Sequence, residues 1–375
     1  MVYIIAVIVA LIAAILNDKM SSKLRNSILI ALCVYVILIF GFRYKVGVDT
    51  IGYMKSYNKV PTLDSFFTVK TFVVNRFEPG YLLVCSICKT ITKDFWLLQL
   101  VISAIANGCI FIFLHRYCKN AFIGVFLYFI FACLYFSTEI MRESAAIGIF
   151  LLNYKNLQEK KWLNYYLFSI LSVLFHYSAA IIWFFPLARL LKSNIIFYIM
   201  CVVFIGITPL VERLNELLQI AAIYGRIDQY ASGADDLNMN WRLAELLRSA
   251  FPAIATLIGY RIIKKECEFR HLILLQILFC MGAFAIPLIF SRFSNYTIMF
   301  VTAAAANLIS SNSLKTGMKV AFIAFLLLTQ INYYRVNYDR WFPYVSIFYP
   351  EDLAYRQNIY RHDFLPWLKF TRGWQ

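Results

Sequence analysis

The chain has 375 residues, of which 61% are hydrophobic and 15% charged, with a net charge of +16 and a mean hydropathy of +0.68. Soluble domains sit near about 45–50% apolar and about 25% charged, so the composition excludes a soluble globular protein and predicts an all-α polytopic integral membrane protein. Lipid offers no partner to an open backbone, so the apolar segments must be helices.

The net positive charge is spread over short loops, which suits lipid headgroups and phosphorylated lipids. No RNP, zinc-finger or basic-helix pattern is present, so nucleic acid is not an expected partner. Of the nine cysteines, the nearest pair is Cys85 and Cys88, and it lies in an apolar run. There Cys behaves as a small hydrophobe, so no metal, redox role or cofactor is expected.

About twelve crossings are predicted in chain order, near 2–16, 27–42, 95–114, 121–137, 140–154, 162–175, 177–191, 194–210, 243–260, 271–290, 293–309 and 318–334. The first lacks a basic n-region and a small-residue cleavage site, and reads as a retained helix. Residues 80–93 ("GYLLVCSICKTITK") are apolar but short and read as a re-entrant or interfacial helix. Two longer loops, 43–79 and 211–242, and a polar tail, 335–375, complete one integral domain, 1–375.

Lys and Arg in short loops set the orientation. "NDKMSSKLRN", "HRYCKN", "YKNLQEKK", "RIIKKECEFR" and "NSLKTGMK" fall on one side, which is therefore cytoplasmic. The termini, both long loops and the tail then face outward. The cytoplasmic side takes 11 of the 18 lysines but only 5 of the 18 arginines. Arginine is the side chain suited to bidentate phosphate or carboxylate recognition. The outward excess points to an anionic ligand on the extracytoplasmic face.

Charged residues within apolar segments are costly and are candidates for function. The run "IFGFRYKVGVDTIGYMKSY" (39–57) sets Arg43, Asp49 and Tyr53 among glycines just past a helix. "FSTEIMRESAAIGIF" (136–150) places Glu139, Arg142 and Glu143 on one helix face, either as a ligand site or as a self-satisfied Glu–Arg pair. "LFHYSAAIIWF" sets His176 between two apolar segments, as a catalytic group or a hydrogen-bonded structural histidine. "NWRLAELLRSAF" carries Arg242, Glu245 and Arg248 at three-residue spacing. "IFSRFSNYTIMF" puts Arg292 and Tyr296 four apart, with interfacial anchoring the alternative. The pairs Asp235/Asp236 and Glu351/Asp352 do not resemble the metal site of nucleotide-sugar transferases. GxxxxGK[ST], HExxH and GxSxG are missing, which argues against ATP hydrolysis and simple protease chemistry.

Six of these segments together resemble the EpsG-type, Wzy-like bacterial polysaccharide polymerases. "GFRYKVGVDTIGYMKSY" resembles their R-x-x-x-G-x-D-T-x-x-Y signature, "FEPGYLLV" (77–84) their E-P-G-Y motif and "IMRESAAIGIFLL" their arginine helix. "LFHYSAAI" matches F-H-x-S-A, "SRFSNY" is similar to a late R-x-x-x-Y segment and "WFPYVSIF" (341–348) to a C-terminal P-Y stretch. Order and spacing hold from about residue 39 to 348. The family more often has Gln and an aliphatic residue where Glu143 and Ser144 stand, which leaves the role of Glu143 open.

The resemblance implies a many-helix, GT-C-like fold in the bacterial cytoplasmic membrane. It also implies joining of oligosaccharide repeat units carried on undecaprenyl pyrophosphate, without nucleotide sugar or metal. A chain-length-regulating membrane protein is an implied partner, beside membrane lipids. In such a reaction guanidinium groups must stabilise the leaving pyrophosphate, and Arg43, Arg142, Arg248 and Arg292 are the candidates. Gly41 and Gly47 let the chain fold over the helix end, and Asp49 orients Arg43 or takes the acceptor proton. His176, Asp49 and Glu139 are rival general bases. Tyr53, Glu78, Arg226, Tyr296 and Tyr344 are candidate glycan contacts. The alternatives are a ligase on the same kind of fold, a flippase for the same lipid-linked oligosaccharide, and a structural membrane subunit. A flippase predicts pseudo-repeats and broken helices at the midplane, and no repeat is visible.

Overall fold

The computed structural model describes residues 2–68, 77–192, 194–203, 206, 244, 246–285 and 287–364. The described residues are almost entirely helical, with one isolated antiparallel bridge between Arg43 and Ser346. Five helices are long and apolar enough to cross a membrane by length and composition: Val2–Lys19, Ser22–Gly41, Trp96–Tyr117, Ala121–Thr138 and Thr316–Val336. They coincide with five of the twelve expected crossings. The others are shorter, charged or interrupted, and parts of three, 194–210, 243–260 and 271–290, lie outside the described residues, as do the loop 211–242 and the end of the tail.

The chain divides into two compact units, residues 1–183 with 337–366, and residues 184–336 with 367–375. In the first unit the helices are α1 (Val2–Leu16), α2 (Ser22–Gly41), α3 (Val48–Lys59), α4 (Pro79–Ile91), α5 (Trp96–Tyr117), α6 (Ala121–Thr138), α7 (Met141–Gln158) and α8 (Trp162–Phe175). Local chemistry sets several starts. Ser21 Oγ accepts from Leu24 N at 3.3 Å to cap α2, and Pro79 opens α4. Asn120 Oδ1 accepts from Phe122 N at 3.1 Å to cap α6, while its amide donates to Ala14 O at 3.0 Å and ties α6 to α1.

Helix α7 lies at the centre of this unit. Its residues from Met141 to Leu151 are buried, apart from Arg142, so it has no polar face. By contrast α1 and α2 expose Ile4, Ile8, Ile12, Ile15, Ile30 and Val34, as lipid-facing helices do. Gly41 does not bend the chain. It is helical, and a Cβ there would come within 2.9 Å of the Leu100 backbone, so it serves the close approach of α2 to α5. Gly47 does turn the chain, at φ +91° and against Thr138. Helix α6 contains a π turn at Phe129–Cys133, beside a satisfied polar knot. There Asn107 Nδ2 donates to Ser103 and Ser137, and Tyr128 donates to Asn107 Oδ1 at 2.8 Å.

The segment expected as an α-helix over 177–191 is instead a 3-10 helix, Tyr177–Lys192. Side chains three apart eclipse in this winding. Accordingly His176, Ala179, Ile182, Phe185, Ala188 and Leu191 are buried in a stripe of period three, while Trp183, Phe184, Leu187 and Leu190 are exposed.

The second unit contributes α9 (Asn194–Val203), α10 (Phe251–Ile262, preceded by a π turn at Leu246–Ala250), α11 (Arg270–Ala285), α12 (Pro287–Asn295), α13 (Ile298–Ile309) and α14 (Thr316–Val336). The described residues of the expected crossing over 271–290 lie in α11 and α12. Helix α13 is buried almost throughout. The first unit is completed by a turn at Tyr338–Trp341 and by α15 (Pro350–Ile359).

Candidate functional site

The run from Phe42 to Val48 leaves α2 as a loop that the C-terminal segment covers. Tyr44 N donates to Val345 O at 2.8 Å, Ile347 N to Phe42 O at 3.0 Å and Gly47 N to Arg340 O at 2.9 Å. Arg43, expected to face a phosphate, is turned inward and only 1% exposed. Its guanidinium donates to Phe40 O, to Val46 O at 3.3 Å and to Thr50 Oγ1 at 3.4 Å. With the Gln99 amide oriented oxygen-first, Gln99 adds an acceptor 3.2 Å from Nη1. Arg43 therefore holds the loop. It is oriented by backbone carbonyls and Thr50 rather than presented to a ligand.

A second arginine does the same from the far side of the chain. Arg356 on α15 is wholly buried and donates to Lys45 O at 2.9 Å, Asp339 O at 3.0 Å, Phe342 O at 3.4 Å and Arg340 O at 2.7 Å. Trp341, also buried, donates through Nε1 to Thr138 Oγ1 at 3.0 Å. Tyr344, a candidate glycan contact, is half-buried. Its hydroxyl donates to Ile39 O at 2.9 Å and its ring meets Tyr3 edge-on, so it packs the same loop.

Helix α3 is held at both ends by side chains from other elements. Glu139, expected as a rival base, is buried at its N-terminus and accepts from Val48 N at 3.2 Å and Asp49 N at 3.1 Å. A carboxylate is favourable there because the helix dipole is positive at that end. Burial, and after it the neighbouring Asp49 carboxylate, push Glu139 above the usual carboxylate range. At the other end Lys89 of α4 donates to Tyr57 O at 3.0 Å, Asn58 O at 2.9 Å and Val60 O at 2.6 Å. A cation on the last carbonyls completes the match to the dipole. Replacing Lys89 by Met is expected to cost about 1 kcal/mol, read as a lower unfolding midpoint in detergent. Asp49, half-buried in the first turn of α3, and Tyr53, one turn on, are presented by this fixed helix.

Arg142 stands where three of the quoted motifs meet. It pairs with Glu78, which is itself buried. Its guanidinium carbon lies 4.2 Å from the Phe77 ring centroid and 5.8 Å from those of Tyr53 and Tyr81, so three rings surround the cation. Among the described residues Arg142 Nε is buried with no hydrogen-bond partner. The other oxygen of Glu78 accepts from Tyr177 N at 3.2 Å, the residue after His176. One carboxylate thus links the arginine of α7 to the start of the 3-10 helix. Glu78, expected to touch glycan, is committed to these two partners. His176 is 6% exposed, and its Nδ1 lies 2.6 Å from Ser178 Oγ and accepts from Ser178 N at 3.2 Å. Glu143 is buried on α7.

The remaining candidates lie in the second unit. Arg248 is half-buried with its guanidinium carbon 4.2 Å from the Tyr333 centroid, and its carbonyl accepts from Gln330 Nε2 at 2.9 Å. Arg292 is half-buried on α12. Tyr296, expected as a glycan contact, is fully buried as a core residue. Arg226, Arg242, Glu245, Asp235 and Asp236 lie outside the described residues. Among the described residues no group of three or more metal-ligating side chains gathers.

Lys89 and Arg356 were not singled out by sequence. A lone Lys in the apolar run "LLVCSICKTI" was the available signal for the first, and the second has none. Neither the curated proteins nor the solved structures include a match to this chain. The sequence model of the EpsG family matches residues 26–346, which covers five of the six motifs in full and nearly all of the sixth, and the chain is therefore a member of the EpsG family.

Proposed function

We propose that this protein is a polysaccharide polymerase that joins undecaprenyl-pyrophosphate-linked oligosaccharide repeat units on the extracytoplasmic face of the bacterial cytoplasmic membrane. The observation that carries the reading is Arg142. It is a guanidinium held in an aromatic cage by a buried carboxylate, with its Nε lacking a hydrogen-bond partner among the described residues. Family membership supports a polymerase role broadly. The apolar helices support a membrane protein.

Departure of a lipid pyrophosphate concentrates negative charge on a phosphate oxygen as the anomeric centre becomes oxocarbenium-like. A preorganised cation aimed at that charge is the largest contribution a protein can make without a metal, at about 10²–10³ in rate per group. Arg142 fills that role, and the sequence offers Arg248 and Arg292 as further candidate cations. Tyr53 contacts sugar at the edge of the cage. Asp49 and His176 supply acid–base chemistry. The donor is the lipid-linked glycan itself, so neither nucleotide sugar nor metal is required. The chain is one integral polymerase domain of GT-C-like architecture with about twelve crossings, working among membrane lipids and with a chain-length-regulating membrane protein.

The test is incubation of purified protein with a short undecaprenyl-pyrophosphate oligosaccharide of the host's repeat unit, in EDTA and without nucleotide. A ladder of products on a gel is expected. Intact substrate, with the protein instead moving it across a vesicle bilayer, would overturn the polymerase reading in favour of a flippase.

A further inference from the structure

We infer that Glu78 is a positioning residue of this reaction: it acts through Arg142, fixing the guanidinium so that its Nε–H edge is left to the pyrophosphate of the substrate. The inference deepens the polymerase reading and rests on it for the chemistry.

The local cause lies in four consecutive residues, Glu78, Pro79, Gly80 and Tyr81. Glu78 is the N-cap of α4, at φ −68° and ψ 145°. A residue there ordinarily turns its side chain onto the first N–H groups of its own helix. Glu78 makes no such bond. Pro79 has no N–H to satisfy, and the carboxylate turns to other segments instead. Gly80 brings them within reach. A Cβ on it would stand 2.8 Å from Leu174 O and 3.1 Å from Leu174 C, so the start of α4 packs directly on the last turn of α8. Tyr81 then supplies one ring of the cage around Arg142.

Both oxygens of Glu78 are used. Oε1 accepts at 3.2 Å from the N–H of Tyr177, the first residue of the 3-10 helix, and Oε2 accepts from Arg142 Nη1. The carboxylate is therefore fixed against one segment while it grips another. The Phe77 ring, 4.2 Å from the guanidinium carbon, sets the plane of the arginine fork. The bond to Nη1 sets its rotation within that plane. In a guanidinium Nε–H lies on the edge away from Nη1, and here it has no hydrogen-bond partner among the described residues. A planar edge of this kind is what phosphate oxygens recognise.

A buried ion pair contributes little net stability, because desolvation offsets the attraction. Apolar side chains would hold the three segments together as well. What they could not supply is a cation in one fixed place, and stabilisation of developing charge depends on that place.

The first test is a double-mutant cycle in the chain-growth assay, using the full chain. Glu78→Asp keeps the charge opposite Arg142 but is one methylene shorter, so it cannot reach Arg142 and Tyr177 together. It is expected to fold and to slow chain growth about 10²-fold, the effect of misplacing a reacting group by about 1 Å. Gly80→Ala leaves every charged group in place and pushes α4 off Leu174, with a loss of the same size expected. In an Arg142→Lys background, either substitution is expected to slow growth by less than about threefold further. Losses that multiply to about 10⁴ would mean that Glu78 serves the reaction directly, as a substrate contact or base, and would overturn the inference. So would a wild-type rate in Glu78→Asp.

The second test is independent of activity and uses undecaprenyl pyrophosphate as the probe, bound to the full chain in lipid nanodiscs. Glu78→Asp is expected to bind it about tenfold or more weakly, the loss of one aligned hydrogen bond to a charged group. Undiminished affinity in that variant, or no binding by the wild type, would overturn the inference. Wild-type protein that binds the probe but makes no polymer would instead overturn the polymerase reading, with the role of Glu78 decided by the affinities.

Discussion

Replacing Arg142 by Lys is expected to slow chain growth about 10²-fold while the protein still folds. Lys keeps the positive charge opposite Glu78, so the buried carboxylate retains a counter-ion. It loses the planar fork and the broad face that lies against Phe77, Tyr53 and Tyr81. Replacing Arg142 by Ala is a poorer experiment. It leaves Glu78 buried and unpaired, at a cost of about 3–5 kcal/mol, so lost activity and lost folding would coincide. The informative comparison sets the rate of polymer growth for the Lys variant beside its unfolding midpoint in detergent. A Lys variant that polymerises at the wild-type rate would remove the guanidinium from the mechanism.

Arg356 is expected to give the largest loss of stability of any single substitution outside the aromatic cage. Replacing it by Met would leave the carbonyls of Lys45, Asp339 and Phe342 without this donor, and that of Arg340 with Gly47 N–H alone. Each unsatisfied acceptor costs about 1–3 kcal/mol, so a total of about 3 kcal/mol or more is expected. The comparison variant is Arg361→Met, an exposed neighbour in the same segment, expected to change stability by less than about 0.5 kcal/mol. Similar unfolding midpoints for both variants would show that α15 does not hold the loop after α2.

Much of the architecture was legible in the sequence because it depends on local pattern. The long apolar runs became α1, α2, α5, α6 and α14, and the short run 80–93 became the brief helix α4 opened by Pro79. The E-P-G-Y, arginine-helix and F-H-x-S-A segments were each visible as motifs, but that one carboxylate joins them was not. What failed was the direction of individual side chains. Arg43 stands just past a helix end, and position alone does not say whether such a side chain turns to the ligand or back onto Phe40 O and Val46 O. Glu139 was read as reactive because it is ionisable and near the membrane. Its actual partners, the first N–H groups of α3, lie some ninety residues away in sequence. Arg356 could not be found from its surroundings, since all its acceptors are backbone atoms that every residue possesses.

The stripe of period three from His176 to Leu191 has a metrical consequence. An α-helix advances about 1.5 Å per residue, so 16 residues would reach about 24 Å. The same 16 residues wound as a 3-10 helix advance about 2.0 Å each, for about 32 Å. The hydrocarbon of a bilayer is about 30 Å thick. A segment that looks about one turn too short to traverse the bilayer is therefore long enough by virtue of tighter winding. Residue counts calibrated on α-helices undercount the reach of this chain at the place where its histidine is anchored.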